Sequence, residues 1–206
     1  MVMKRPLIVG MGGTTRPGSS SEQSLAIALH KAQQSGAETM LFRGADLILP
    51  LYEPQSKVLA PDAKALIDAL RRADGVIFSS PCYHGGVSGP LKNAIDYTEE
   101  MSADERVYLD GRAVGAICCG FGVQGPMAGL NALRAITHAL RGWPVPLGVA
   151  INSAAVKFRD CGCDDEKTVQ QIEAMADQVL NFAVMSIQER AKARARSSLK
   201  CNTSLV

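Results

Sequence analysis

The residues able to do chemistry gather in two loops. The first reads Gly12-Gly13-Thr14-Thr15-Arg16-Pro17-Gly18-Ser19-Ser20-Ser21-Glu22, placing five hydroxyls and one guanidinium just ahead of a helical pattern. A helix start carries unpaired N–H groups and a partial positive charge, so a hydroxyl-rich loop there makes an anion site, above all for a phosphate. Arg16 can grip two oxygens of such a group at once. Capping the helix needs only one of the five hydroxyls. The second loop, Pro81-Cys82-Tyr83-His84-Gly85-Gly86-Val87-Ser88-Gly89, lets backbone amides and carbonyls approach a flat ligand without a Cβ in the way. Within it, Tyr83 reads as a ring to pack on a ligand or as a half-buried core residue. His84 reads as a donor or as a loop-stabilising side chain.

The surrounding pattern explains how two loops so far apart in sequence could meet. Leu7 to Met11, Glu38 to Arg43, Gly75 to Ser80, Ala113 to Cys119 and Val145 to Ile151 read as buried strands. Helical stretches lie between and after them. One opens at the capping box Ser19-x-x-Glu22 and closes at Gly36, and one starts at Pro61 and runs through Ala73. Two more span Gly89 to about Tyr97 and Pro126 to Leu140, and the last runs from about Asp164 to Ala193. Strands that alternate with helices predict an α/β domain with three layers and a parallel sheet. Five strands fit the flavodoxin-like order 2-1-3-4-5, which reverses direction between the first and third strands. Ligands bind at that reversal, and the two loops leave those two strands.

Two rival phosphate motifs fail on essential residues. Gly13 to Gly18 has the spacing of a nucleotide-triphosphate loop, but Ser19 stands where lysine is needed. The dinucleotide fingerprint counted from Gly10 puts Thr15 at its third glycine, and the second strand ends in Arg43 rather than an acid. A terminal monophosphate such as that of FMN suits the hydroxyl-rich loop better.

Composition narrows the setting. A length of 206 residues suits one domain, expected over 1–190 and followed by a basic, flexible tail over 191–206. The tail charges Arg190, Lys192, Arg194, Arg196 and Lys200 read as a solvated helix end rather than a nucleic-acid surface. No run reaches the roughly 20 apolar residues of a membrane span, and no secretory signal is legible, so the cytoplasm is expected. The six cysteines form neither a disulfide framework nor a complete metal set; Cys161-Gly162-Cys163 lacks a second ligand cluster.

The pattern Pro81-x-Tyr83-His84-Gly85-x-x-Ser88-Gly89-x-Leu91-Lys92-Asn93-Ala94-x-Asp96, with Gly13 to Ser20 upstream, resembles the NADPH-dependent FMN reductases. The resemblance continues through Tyr108-Leu109-Asp110-Gly111 and His138 to Pro144, and covers Leu7 to about Asn152. It implies that Thr14, Arg16, Ser19 and Ser21, with Glu22 nearby, surround the FMN phosphate. Pro81, Cys82, Tyr83, His84 and Gly85 would border the ring and ribityl chain, and Cys119, Gly120, Phe121 and Gly122 would complete the flavin edge. Cys82 departs from the glutamate that members often carry, and reads as either an inert or an oxidisable thiol.

The resemblance also implies a homodimer or homotetramer, with His138, Arg141 and Trp143 at a subunit contact or the site rim. NADPH or NADH would deliver hydride to the flavin. A small-molecule acceptor (free flavin, quinone, azo compound, metal oxyanion or oxygen) would then take the electrons in ping-pong fashion, and a flavin-dependent monooxygenase could receive reduced flavin. Such chemistry asks the protein for position and electrostatics rather than for a catalytic triad. The alternative is a flavodoxin-like electron carrier or redox sensor, against which a net charge of +2 and 5% aromatic content both count.

Overall fold

The computed structural model describes residues 4–56, 58–159 and 162–203. The elements run β1 (Leu7–Gly12), α1 (Ser20–Gln34), β2 (Glu38–Arg43), α2 (Pro61–Arg72), β3 (Gly75–Pro81), α3 (Gly89–Asp96) and β4 (Ala113–Gly120). They continue with α4 (Gln124–Ala139), β5 (Trp143–Pro144), β6 (Val149–Asn152), β7 (Phe158–Arg159), β8 (Gly162–Cys163) and α5 (Glu166–Thr203). The main sheet is parallel with order β2-β1-β3-β4-β5, and β6 also pairs with β4. This is the flavodoxin-like order expected from the sequence.

Strand alternation divides the core in two. Val9, Val76, Phe78 and Cys118 face the layer of α2, α3 and α4, while Ile8, Ile77, Ile117 and Cys119 face α1 and α5. β1 and β3 are buried along their whole length, which explains their nearly unbroken apolar sequences. On α1, Leu25, Ala28, Leu29 and Ala32 recur at helical spacing and are all buried. Each such Leu or Ile stabilises the fold by roughly 1.5–3 kcal/mol.

The fifth strand differs from the single run Val145 to Ile151 expected. Gly115 and Ala116 of β4 face four residues, Val145 to Gly148, so the strand bulges and splits into β5 and β6. Pro144 and Pro146 have no N–H to give the ladder. The bulge is held instead by side chains: Gln178 accepts from the Leu147 amide at 2.9 Å, and Arg134 donates to the Pro146 carbonyl at 2.9 Å. The short hairpin β7–β8 was not legible in a loop read mainly for its cysteines. Helix α5 continues to Thr203, beyond the Ala193 expected. Cys161 and the side chains of Arg194, Lys200 and Cys201 lie outside the described residues.

Two charged residues tie the floor of the sheet, opposite the reversal loops. Asp74, 1% exposed, accepts from the Leu7 amide at 3.2 Å and pairs with Arg190 of α5 at 2.8 Å. Arg112, also 1% exposed, donates to the carbonyls of Leu70, Arg71, Tyr108 and Asp110, closing the C-terminal end of α2. Burial pulls its pKa down to about 9.

The long connection from β2 to α2 is held by Asn93 on α3. Its side chain accepts from the Tyr52 amide and donates to the carbonyls of Leu49 and Pro50. Asp96, the last residue of α3, pairs with Lys92 one turn earlier at 2.6 Å. Among the described residues no helix is long and apolar enough to cross a membrane.

Candidate active site

At the end of β1 the chain must cross close over β3. A Cβ on Gly12 would lie 2.0 Å from the Ser79 carbonyl oxygen, so only glycine fits there. The next amide, Gly13, bonds to that same oxygen at 3.0 Å. From this crossing the Thr14 to Ser21 loop rises to the start of α1. Ser19 is the N-cap, and its Oγ accepts from the Glu22 amide at 3.3 Å. The Glu22 carboxylate does not close the reciprocal half of the expected capping box. It accepts instead from the Gly18 amide at 3.2 Å and from Arg43 at 2.8 Å.

Serines fasten this first turn to the sheet. The Ser21 carbonyl accepts from Ser79 Oγ at 2.7 Å and from Ser24 Oγ at 3.2 Å, and both serines are fully buried. Ser80 does the same for the second loop, accepting from the Ser88 amide at 3.0 Å. The Cys82 amide reaches across to the Cys119 carbonyl at 2.7 Å. Tyr83 and Gly86 bridge a tight turn whose two central residues, His84 and Gly85, have φ of 53° and 80°. A left-handed histidine is strained backbone, held by the bridge on either side.

Between the two loops lies a cavity of about 330 Å³. Thr14, Thr15, Arg16, Ser19, Ser20 and Ser21 line one end; Pro81, Cys82, Tyr83, Cys119, Gly120 and Phe121 line the other, with Ser153 between the strands' exits. Ten of the residues singled out from sequence therefore share one wall: Thr14, Arg16, Ser19, Ser21, Pro81, Cys82, Tyr83, Cys119, Gly120 and Phe121. Glu22 instead lines the neighbouring cleft with Arg43. His84 and Gly85 are exposed at the turn, outside the cavity wall. Gly122 is also off the wall, donating to Asn152 Oδ1 at 2.8 Å. Sequence reasoning missed Ser153, whose place depends on where β6 ends; nothing in its neighbours signals this.

The electrostatics of the wall are one-sided. Arg16 is exposed, with no carboxylate paired to it among the described residues, and the α1 N-terminus adds partial positive charge. No carboxylate or imidazole lines the cavity. Burial holds the Cys119 thiol protonated, with its pKa pushed up to about 12. The wall therefore offers donors to an anion at one end and a mainly apolar surface at the other, mouthed by exposed Tyr83 and Phe121. A flat ring system carrying a phosphate fits both halves, and the wall has no acid–base pair for hydrolytic chemistry.

Comparison with known proteins agrees with this geometry. The family model described as NADPH-dependent FMN reductase matches residues 6–156. A quinone reductase of Pseudomonas putida is 28% identical over 173 residues, covering 81% of this chain and 89% of that protein. An FMN-dependent NADPH-azoreductase of Staphylococcus haemolyticus is 28% identical over 142 residues, covering 68% and 72% of the two chains. In fold, the flavoenzyme NAD(P)H:(acceptor) oxidoreductase FerB from Paracoccus denitrificans aligns with TM-score 0.71 at 21% identity, over 86% of this chain and 97% of that one. With the family match spanning most of the domain and the cavity seated at the sheet's reversal, the chain belongs to the NADPH-dependent FMN reductase family, oxidoreductases that use FMN and NAD(P)H.

Proposed function

We propose that this protein takes NAD(P)H and then a small electron acceptor in turn at the open face of the β1/β3 cavity, in a ping-pong cycle. The observation that carries the reading is the division of one cavity wall into a hydroxyl- and arginine-lined end and an apolar end opening past Tyr83 and Phe121. FMN, when bound, supplies the two-electron chemistry between nicotinamide and acceptor. The chain's part is positioning. Thr14, Arg16, Ser19 and Ser21 hold the phosphate; Pro81, Cys82 and Tyr83 border the ribityl chain and ring; Cys119, Gly120 and Phe121 border the ring edge. Glu22 acts through the loop it braces, and His84, Gly85 and Gly122 shape the turns that carry the wall.

One cavity between the two loops supports sequential occupation, with reductant and acceptor sharing it. The acceptor is of the flavin, quinone, azo or metal-oxyanion class, with a monooxygenase as recipient if reduced flavin leaves. The exposed apolar side chains of Phe121 on the cavity wall and of Val123 and Met127 just after it support a homo-oligomer. The free thiols of Cys82, Cys118, Cys119 and Cys163 support a reducing, cytoplasmic setting. The test is an anaerobic titration following the visible flavin absorbance of the FMN-loaded protein. Bleaching by NADPH or NADH, with recovery when a quinone is added, supports the cycle; a spectrum unchanged by both nicotinamides overturns it.

A further inference from the structure

Cys82 and Cys118 come from different elements but converge on one point. Cys82 follows β3 and lines the cavity; Cys118 lies in β4, fully buried on the α4 side of the sheet. Gly129 of α4 sits over both. A Cβ there would meet Cys82 Sγ at 2.3 Å and Cys118 Sγ at 3.2 Å, so the missing side chain is what gives the two sulfurs room. Gly125, one turn earlier, faces the Cys82 Cβ at 3.8 Å in the same way. Helix α4 thus closes over a compact pair of thiols, one reachable from the cavity and the other shut in behind it.

We propose that Cys82 and Cys118 form an oxidisable dithiol, with Cys82 oxidised first by a hydroperoxide and Cys118 resolving it to a disulfide. The Cys82 sulfur attacks one oxygen of the peroxide: an S–O bond forms, the O–O bond breaks, and the leaving oxygen departs as water or alcohol. The Cys118 sulfur then attacks the sulfur of Cys82. An S–S bond forms, the S–O bond breaks, and hydroxide leaves with the Cys118 proton as water. Two thiols lose two electrons and the O–O bond gains them.

The electrostatics favour Cys82 as the thiol oxidised first. The Cys118 thiol, as hydrogen-bond donor, draws the pKa of Cys82 below the ordinary thiol value against the effect of burial, and the Gly129 amide assists. Cys118 is shifted the opposite way, by Cys82 beside it and by burial. Cys119, next in sequence, points to the other face of the sheet and takes no part. The dithiol requires no bound flavin, so it stands apart from the cofactor assignment.

The test treats full-length protein, as purified, with hydrogen peroxide, alkylates the remaining thiols, and maps peptides without reduction. A Cys82–Cys118 linked peptide, removed by dithiothreitol, is the expected product, and Cys82 should be consumed about tenfold faster than Cys163. In Cys118→Ser, Cys82 should be trapped by dimedone as the sulfenic acid; in Cys82→Ser, Cys118 should stay a thiol. Cys82 remaining alkylatable while Cys163 oxidises, or Cys82 linked to a different cysteine, overturns the proposal. Flavin content is read from absorbance of the same samples, so a failure of cofactor binding is scored separately.

Discussion

Arg43, at the end of edge strand β2, donates to Oε1 of Glu22 over 2.8 Å, and the other oxygen of that carboxylate accepts from the Gly18 amide. One side chain in the first turn of α1 therefore braces the hydroxyl-rich loop and anchors it to the sheet edge. It achieves this without entering the cavity.

For that brace, Arg43 is 56% exposed and Glu22 10% exposed, so solvent screening limits the ion pair itself to about 0–1 kcal/mol. Loss of the acceptor for Gly18 adds a comparable amount. Glu22→Ala should weaken FMN binding by about 1–1.5 kcal/mol, near tenfold in Kd, in a fluorescence titration. Glu22→Gln keeps an oxygen for Gly18 and should recover part of that loss. An unchanged Kd in the alanine variant would remove the brace from the account of binding.

Arg16 is the side chain proposed to meet the phosphate itself. Arg16→Ala should cost about 1–3 kcal/mol in FMN affinity, the scale of a lost charge-assisted hydrogen bond. Riboflavin, which has no phosphate, should bind wild type and variant alike. Equal losses for both ligands would place the phosphate elsewhere. Ser19→Ala should cost less, since Thr14, Ser20 and Ser21 remain on the same wall.

At the opposite end of the sheet, Asp74→Asn should lower stability without touching the cavity. It removes the 1% exposed charge that pairs with Arg190, 31% exposed, and with Lys4, while Arg190 keeps its bonds to Ser186 and Gly111. A loss of about 2–4 kcal/mol is expected, read as a lower urea midpoint with an unchanged slope. FMN affinity of the folded variant should match wild type; a large change there would mean the sheet transmits the loss.

Thiol reactivity should also sort by pH. The thiolate is the nucleophile, so a pKa moved below the ordinary value shifts the onset of alkylation to lower pH. Cys82 is shifted that way by Cys118, whereas burial pushes Cys163 up. Iodoacetamide labelling read by peptide mass should therefore reach half its maximal rate at lower pH for Cys82 than for Cys163. The reverse order would contradict the placement of Cys118 beside it.

Much of this arrangement was legible beforehand because the informative signals are local. Apolar runs with glycine exits give β1 and β3; Ser19 and Glu22 give the start of α1; and the strand order then forces the two loops together. The illegible features depend on contacts distant in sequence. Glu22 turned to Gly18 and Arg43 because β2 ends beside α1, which no spacing within the loop reveals. The break in the fifth strand reflects a mismatch in length against β4, so Val145 to Ile151 alone looks continuous. His84 read equally as a donor or as a loop-stabilising residue, and the bridge between Tyr83 and Gly86 that sets its exposed turn has no signature in the spacing. The nearness of Cys82 to Cys118 was hidden for the same reason, since α4 and its Gly129 are needed to bring the sulfurs together.

The Ser21 carbonyl accepts two hydrogen bonds, one across from the sheet and one from its own helix. Ser79 and Ser24 both reach it from within the protein, so the cradle's shape is completed by folding and owes nothing to its guest. Ordering that turn costs entropy once, when the chain folds, and not again at each arrival. A ligand that meets this turn therefore need not order it again.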